Sequence, residues 1–436
     1  MMFLEFFIWG AWFPLIFGYL DKDGLGFTSR QQVWVVNTFA IGSFAAMFFS
    51  TQFADRNFAA QKFVAFSHLI GGLAILALAW TRSFWPFFTL LLVHCLFYVP
   101  TISITNSIAF THLKDAQKEF GRVRLWGTVG WIAASWPFVF VLVDWAKVPD
   151  FASTGFVEWL GSALGTSKTG VEMQAATRYT FVAAGLASLV LVLLSLSLPH
   201  TPPRRASEGV ESRAWLEAAR LLAKPFVLVL FVVTFFDAAV HQCYFQWTGR
   251  FLSSEAVGIP GNWVMPVMSI GQVAEVATMA LLGYALKSLG WRKTMTIGIL
   301  GHAARFAVFA FAPSPTMVVA INVLHGVCYA FFFATVYIFV DEFFPKDARS
   351  SAQGLFNFLI LGLGPFVGTF AWVSLGDHFK VAAETSDLMP GGEDQYDFHG
   401  LFLVPSGVAL GAALLLFAFF RPPARAEAAL PAASAP

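Results

Sequence analysis

About twelve apolar stretches of roughly 17 to 25 residues follow one another along the chain, and each is long enough to cross the ~30 Å hydrocarbon core of a bilayer as a helix. An unpaired backbone polar group costs several kcal/mol in hydrocarbon, so spanning segments must be helices or closed barrel strands. Apolar runs this long without period-two alternation are helices. Charged residues make up 12% of the 436 positions and mean hydropathy is +0.68, too little polar surface for a soluble body of this size. The predicted class is an all-α polytopic membrane protein.

The expected spans are 3–20, 31–52, 61–80, 84–108, 124–146, 178–198, 225–248, 261–286, 292–312, 316–340, 351–375 and 400–420. They divide into a first six-helix unit over 1–198, a linker over 199–224 and a second six-helix unit over 225–420. The linker holds Pro202, Pro203, Arg204 and Arg205 and has the pattern of an amphipathic helix near Trp215–Leu222. The Ala/Pro-rich tail 421–436 reads as disordered. The first residues enter an apolar run at once, without a basic leader or cleavage pattern, so they read as a retained helix.

Charge is informative by position. With both termini inside, the cytoplasmic loops collect Arg56, Lys62, Lys114, Lys118, Arg122, the linker arginines, Lys287, Arg292, Lys293, Lys346 and Arg349. The opposite loops keep fewer, among them Lys22, Arg82, Lys147 and Arg250. The positive-inside rule therefore orients the chain with both termini cytoplasmic. A net charge of +1 without basic or acidic blocks gives no sign of a nucleic-acid partner. Cys95, Cys243 and Cys328 all fall in apolar runs without CxxC spacing, so they read as packing residues, with no metal site or disulfide framework. No Walker sequence, HExxH or GxSxG is present. No enzyme and no cofactor are expected.

Asp55-Arg56 with Gln61-Lys62 between spans 2 and 3, and Gly283 with Gly290-Trp291-Arg292-Lys293 between spans 8 and 9, form a weak internal repeat. Two ordinary positive-inside loops would look much the same. The pairs also resemble degenerate copies of the loop motif of the major facilitator superfamily. That resemblance implies twelve transmembrane helices in two six-helix bundles around a central cavity.

Ionisable groups at membrane depth are costly and face a cavity or a partner. Here they are Glu5, Arg124, Asp237, Glu275, Arg305 and the histidines His94, His241, His302 and His325. Glu275 lies near the middle of span 8, and Gln272, three residues earlier, shares its helix face. Glu275 either takes up and releases a proton or pairs permanently with Arg305 or a histidine. Arg124, Thr128 and Trp131 recur at i, i+4 and i+7, presenting a charge, a hydroxyl and an aromatic plate to a flat polar solute. Gly127 and Gly130 beside them would equally serve close helix approach. Span 7 adds Asp237, His241, Gln242, Phe245 and Gln246, and span 10 adds His325 and Tyr329 one turn apart.

Several stretches together resemble the nucleoside:proton symporters of the major facilitator superfamily. They are Trp9-Gly10-Ala11-Trp12, Tyr98-Val99-Pro100-Thr101 with Asn106, Arg124-Leu125-Trp126-Gly127-Thr128-Val129-Gly130, Leu198-Pro199-His200, Gln272-Val273-Ala274-Glu275, Arg305-Phe306-Ala307 and Arg349-Ser350-Ser351-Ala352-Gln353-Gly354. The resemblance implies a substrate cavity holding Arg124, Thr128, Gln242, Gln272 and Glu275, with Trp131, His325 and Tyr329 at aromatic positions. It departs in two places: Ala330 stands where a familiar member has an aspartate, and Phe245 where it has an amide. The expectation is a monomeric inner-membrane importer of nucleosides that exchanges protons through Glu275, with Asp237 or His325 in support. A sugar or other polar-solute symporter, an uncoupled facilitator and a non-transporting membrane sensor are the alternatives.

Overall fold

The computed structural model describes residues 1–21, 24–49, 58–114, 116–203, 220–344, 349–381 and 395–422. Helix α1 is Met2–Tyr19, and α2 runs as Ser29–Val36 and Thr38–Phe49 around a break at Asn37. Helix α3 is Ala60–Leu78, α4 Phe84–His112, α5 Ala116–Ser135 and α6 Gly170–Leu196. The second half repeats the order with α7 over Pro225–Ser253, then α8 (264–289) and α9 (291–311) within the run Val264–Phe311. Helix α10 spans Pro315–Phe343. Helix α11 comprises Arg349–Asn357, a π-turn Phe358–Leu363 and Gly364–His378, and α12 is Phe398–Phe419.

Nine unbroken helical runs among the described residues are long and apolar enough to cross a bilayer. One of these is really two spans, because Gly290 at φ 75°, ψ 170° turns the chain between α8 and α9. That region of backbone space is essentially reserved for glycine. Helices α2, interrupted at Asn37, and α5, whose first turns are charged, bring the number of spans to twelve. Helix α5 starts before the span expected from hydropathy and ends at Ser135, with a separate short turn at Phe138–Val141 after Pro137. Its first turns carry Glu119, Arg122 and Arg124, which a search for apolar residues excludes.

Each half has its own apolar core. One is built around Trp12, Phe87, Tyr98 and Phe181, the other around Tyr244, Trp247, Phe251, Phe306 and Phe332. The three cysteines are buried and free. Glycines let the backbones approach within each unit. A Cβ on Gly130 would lie 2.1 Å from the Phe3 carbonyl oxygen of α1. One on Gly326 of α10 would lie 2.2 Å from the backbone nitrogen of Glu275 on α8. Gln61, from the loop repeat, bonds His200 Nδ1 at 2.9 Å and accepts from the Thr201 backbone at 3.0 Å, which ties α3 to the segment after α6. Asp55, Arg56, Arg204, Arg205, Lys346, the chain beyond residue 422 and most of the helix expected at Trp215–Leu222 lie outside the described residues. Its last residues form a 3-10 turn, Leu221–Ala223.

Twelve spans bring the start of α1 and the end of α12 to one face. At the opposite face the two bundles are hydrogen-bonded to each other. Arg250 of α7 forms an ion pair with Asp21 after α1 and donates to the Phe17 carbonyl and to Gln32 Oε1, each at 3.1 Å. Ser29 Oγ donates to Asp377 Oδ1 at 2.7 Å. Asn262 Nδ2 and Trp263 Nε1 donate to the Leu164 carbonyl at 3.3 and 2.8 Å.

Candidate functional site

Between the bundles lies a cavity of about 490 Å³, within the ~300–1,000 Å³ range of small-molecule sites. Its walls come from α1, α2, α4 and α5 on one side and from α7, α8, α10 and α11 on the other. On α4 the lining residues are Ile102, Asn106 and Phe110, and on α11 they run from Gln353 to Thr369. These belong mainly to the halves nearest the terminus face. Phe110 is 46% exposed and Asn357 is exposed, so the cavity opens toward that face.

Arg124, Thr128 and Trp131 from the first bundle share this cavity with Gln242, Phe245, Gln272, Glu275, His325 and Tyr329 from the second. The i, i+4, i+7 spacing on α5 does place its three groups on one wall. The Arg124 guanidinium sits 4.0 Å over the Phe6 ring and acts electrostatically on Glu275 and Tyr329 across the bundle interface. Gly127 keeps this corner open, since a Cβ there would meet Arg124 Nη1 and Phe6 Cδ2 within 2.7 Å. Gln242 Nε2 donates to Thr369 Oγ1 at 3.2 Å. Trp131 meets Trp9 edge-on at 5.2 Å between centroids, Trp9 stacks on Phe39 at 4.5 Å, and Phe245 packs between Phe13 and Trp131. An aromatic layer thus closes the deep end of the cavity.

The structure does not pair Glu275 with Arg305. Among the described residues Glu275 has no hydrogen bond or ion pair, and its side chain stands in the cavity wall. Arg305 lies behind that wall, fully buried, donating from Nη1 to His325 Nδ1 at 2.9 Å and from Nη2 to His302 Nδ1 at 3.0 Å. Its guanidinium also lies 4.1 Å over the Tyr244 ring. Asp237 is outside the cavity. It is fully buried, 3.6 Å from His302 Nε2, and neither carboxylate oxygen has a hydrogen-bond donor among the described residues. Ala330 is fully buried in a π-turn, Tyr329–Ala334, and does not line the cavity, whereas Tyr329 and Phe333 do.

The first bundle has its own buried polar cluster. Glu5 Oε2 meets His68 Nε2 at 3.0 Å, Thr101 Oγ1 donates to Glu5 Oε1 at 2.7 Å, and Tyr98 donates to the Glu5 carbonyl at 2.6 Å. His68 Nδ1 meets Ser188 Oγ at 2.9 Å, and His94 Nδ1 meets the Gly71 carbonyl at 2.9 Å. Sequence reading overlooks His68, although a histidine inside the 61–80 apolar run was itself the signal. Sequence reading also leaves Asn37, Tyr337, Asn357 and Thr369 out of the cavity wall. Each is a polar residue on a helix whose face cannot be assigned without a neighbour.

Two six-helix bundles that enclose one solute-sized cavity between them define a secondary transporter of the major facilitator type. The family model for the nucleoside H+ symporters matches residues 1–163 and 151–425, and the chain belongs to that family. It is 30% identical over 374 residues to YegT, a candidate nucleoside transporter of Escherichia coli (strain K12), covering 84% of this chain and 81% of the relative. Xanthosine permease of the same organism is 24% identical over 97% of this chain and 94% of its own length. A crystal structure of a mutant of the nucleoside transporter NupG superposes with a TM-score of 0.78 at 23% identity, covering 96% of this chain and 98% of that one.

Proposed function

We propose that this chain imports nucleosides together with protons, across a bacterial inner membrane, by rocking its two bundles about the central cavity. The observation that carries the reading is that one cavity joins donors and an aromatic plate from α5 to amides and a carboxyl group from α7 and α8. A solute seated there bridges the two rigid bodies and biases their equilibrium.

In this reading Trp131, Phe245 and Tyr329 hold the base by its faces. Arg124, Thr128, Gln242, Gln272 and His325 take its polar edge and the ribose hydroxyls. Glu275 is the proton carrier. It faces the cavity without a permanent partner, so it can be neutral when it donates to a solute oxygen and charged when the cavity is wet. Solute and proton then alter each other's affinity reciprocally. Asp237 is a second carboxyl group that can hold a proton, set behind the wall. The basic residues gathered at the terminus face support cytoplasmic termini, and the cavity is then open to the cytoplasm. One chain encloses the whole cavity, so a monomer suffices.

The test is uptake of labelled uridine and adenosine into proteoliposomes, with and without an inward proton gradient, challenged by unlabelled nucleosides and sugars. Gradient-stimulated uptake that nucleosides compete for is the expected result. Replacing Glu275 by Gln should abolish uphill accumulation and leave exchange measurable. Full accumulation in that variant would remove Glu275 from the mechanism. Alanine at 330, where a familiar member of the family has an aspartate, favours one second reading, an uncoupled facilitator, whose final accumulation would ignore the gradient.

A further inference from the structure

The two buried clusters occupy matching places. Glu5 on α1 corresponds to Asp237 on α7, His68 on α3 to His302 on α9, and His94 with Tyr98 on α4 to His325 with Tyr329 on α10. The last pair shows even in sequence, as His94-Cys95-Leu96-Phe97-Tyr98 against His325-Gly326-Val327-Cys328-Tyr329. Three residues beyond the α3 histidine is Gly71, and three beyond the α9 histidine is Arg305. A cation therefore stands in the second copy where the first has only backbone.

That difference sets the protons on the rings. In the first copy His94 Nδ1 faces a carbonyl oxygen, which can only accept, so Nδ1 carries the hydrogen. In the second copy the partner of Nδ1 on both His302 and His325 is a guanidinium, which can only donate. Both nitrogens must therefore be acceptors, both rings must be neutral, and both hydrogens must sit on Nε2. An imidazolium at either position would set an N–H against an N–H inside the bundle. His302 then points its Nε2 hydrogen toward Asp237, 3.6 Å away. His325 lines the cavity, and with Nδ1 engaged its Nε2 hydrogen is the donor it has left to offer.

We propose that Arg305 is a positioning residue of the transport site: it locks His325 as a neutral Nε2–H donor toward the solute and confines proton uptake to the carboxyl groups. The solute atom that His325 meets is accordingly an acceptor, a base carbonyl or ring nitrogen or a ribose oxygen. The lock has other titratable neighbours. His241 on α7 stacks on His325 at 4.9 Å and meets His302 edge-on at 5.4 Å. Asp237, Cys243 and Tyr244 on α7 and Cys328 on α10 surround the same guanidinium. The solute role rests on the cavity being the nucleoside site, whereas the state of the rings does not.

The experiment is nitrogen NMR of the full-length protein labelled at its histidines, in proteoliposomes, with His325→Phe identifying the His325 signal. Spectra are recorded from about pH 5.5 to about 7.5, the interval around 6.5 in which a free imidazole titrates. The expected result is a His325 ring that keeps the Nε2–H form throughout and whose Nε2 signal moves when uridine or adenosine is added. In Arg305→Gln the ring should titrate within that interval, and nucleoside affinity should fall by roughly tenfold, the scale of one lost hydrogen bond. Should that variant not fold, Arg305→Lys, whose single ammonium is a poorer match for two rings, carries the same expectation. An imidazolium or an Nδ1–H form of His325 in the wild type would overturn the lock. Nucleoside binding that leaves the Nε2 signal unmoved would overturn the donor role. A lock as described with no nucleoside bound at all would instead sink the reading of the cavity.

Discussion

Glu5 with His68 and Asp237 with His302 are the same kind of pair, a carboxylic acid and a histidine, placed in two bundles, yet their surroundings differ. Glu5 accepts from Thr101 and meets His68, whose other nitrogen meets Ser188, so the acid and its histidine are fully partnered, and of this cluster His94 Nε2 alone lacks a partner among the described residues. In the second, both oxygens of Asp237, His302 Nε2 and Arg305 Nε lack hydrogen-bond partners among the described residues. A satisfied buried network rigidifies, and a partly satisfied one is expensive to keep unless the missing partners arrive in another state. The contrast sets a cluster that braces its own bundle against one whose acid, imidazole and guanidinium keep hydrogen-bonding capacity to spare. The second also reaches the cavity, through His325, whereas its counterpart His94 is sealed against Gly71.

The sharpest way to break this contrast is Asp237→Asn. It should cut gradient-driven accumulation by roughly tenfold or more while changing thermal stability little, since no hydrogen bond is lost. A variant that melts early but accumulates normally would make the second cluster structural as well. His68→Ala should do the reverse, costing about 1–3 kcal/mol of stability by leaving Glu5 Oε2 buried without its partner, while Thr101 still holds the other oxygen. Melting of the purified protein and transport per folded molecule separate these outcomes, and the latter should stay within about twofold of wild type. The smallest effect is expected at the far face. There Arg250→Gln removes the cross-bundle ion pair with Asp21 and should raise, by about a few-fold, the labelling of a cysteine placed at Val36 by an externally added impermeant thiol reagent. Unchanged labelling would mean that the face is held shut by its other contacts.

The twelve spans were legible because lipid imposes length and apolarity on a helix whatever its neighbours do. Where charge enters a helix that reading failed, as at α5, which begins before Arg122 and Arg124 rather than at them. Of the residues singled out on α5, α7, α8 and α10 for their charge, amide or aromatic groups, all but Asp237 and Gln246 line one cavity, because intramembrane polar residues on a common helix face have few other places to go. Asp237 shows the limit of that rule, since its face turns into its own bundle. The pairing of Arg305 was illegible for another reason. His302, three residues before it on α9, was within reach on spacing alone, but only the approach of α9 to α10 selects His325 over Glu275 as the second partner. The duplicated acid and histidine positions lie about sixty residues apart within each copy, beyond any local pattern.

One joint in the backbone has mechanical meaning. Between α8 and α9 only Gly290 departs from helical geometry, so there is no slack to take up a displacement of one helix against the other. Helix α8 carries Glu275 and α9 carries Arg305, and Gly326 presses α10 onto α8 at Glu275 itself. The three helices therefore behave as a single lever whose fulcrum is a residue without a side chain. A tug on the carboxyl group at one arm is felt at the guanidinium on the other.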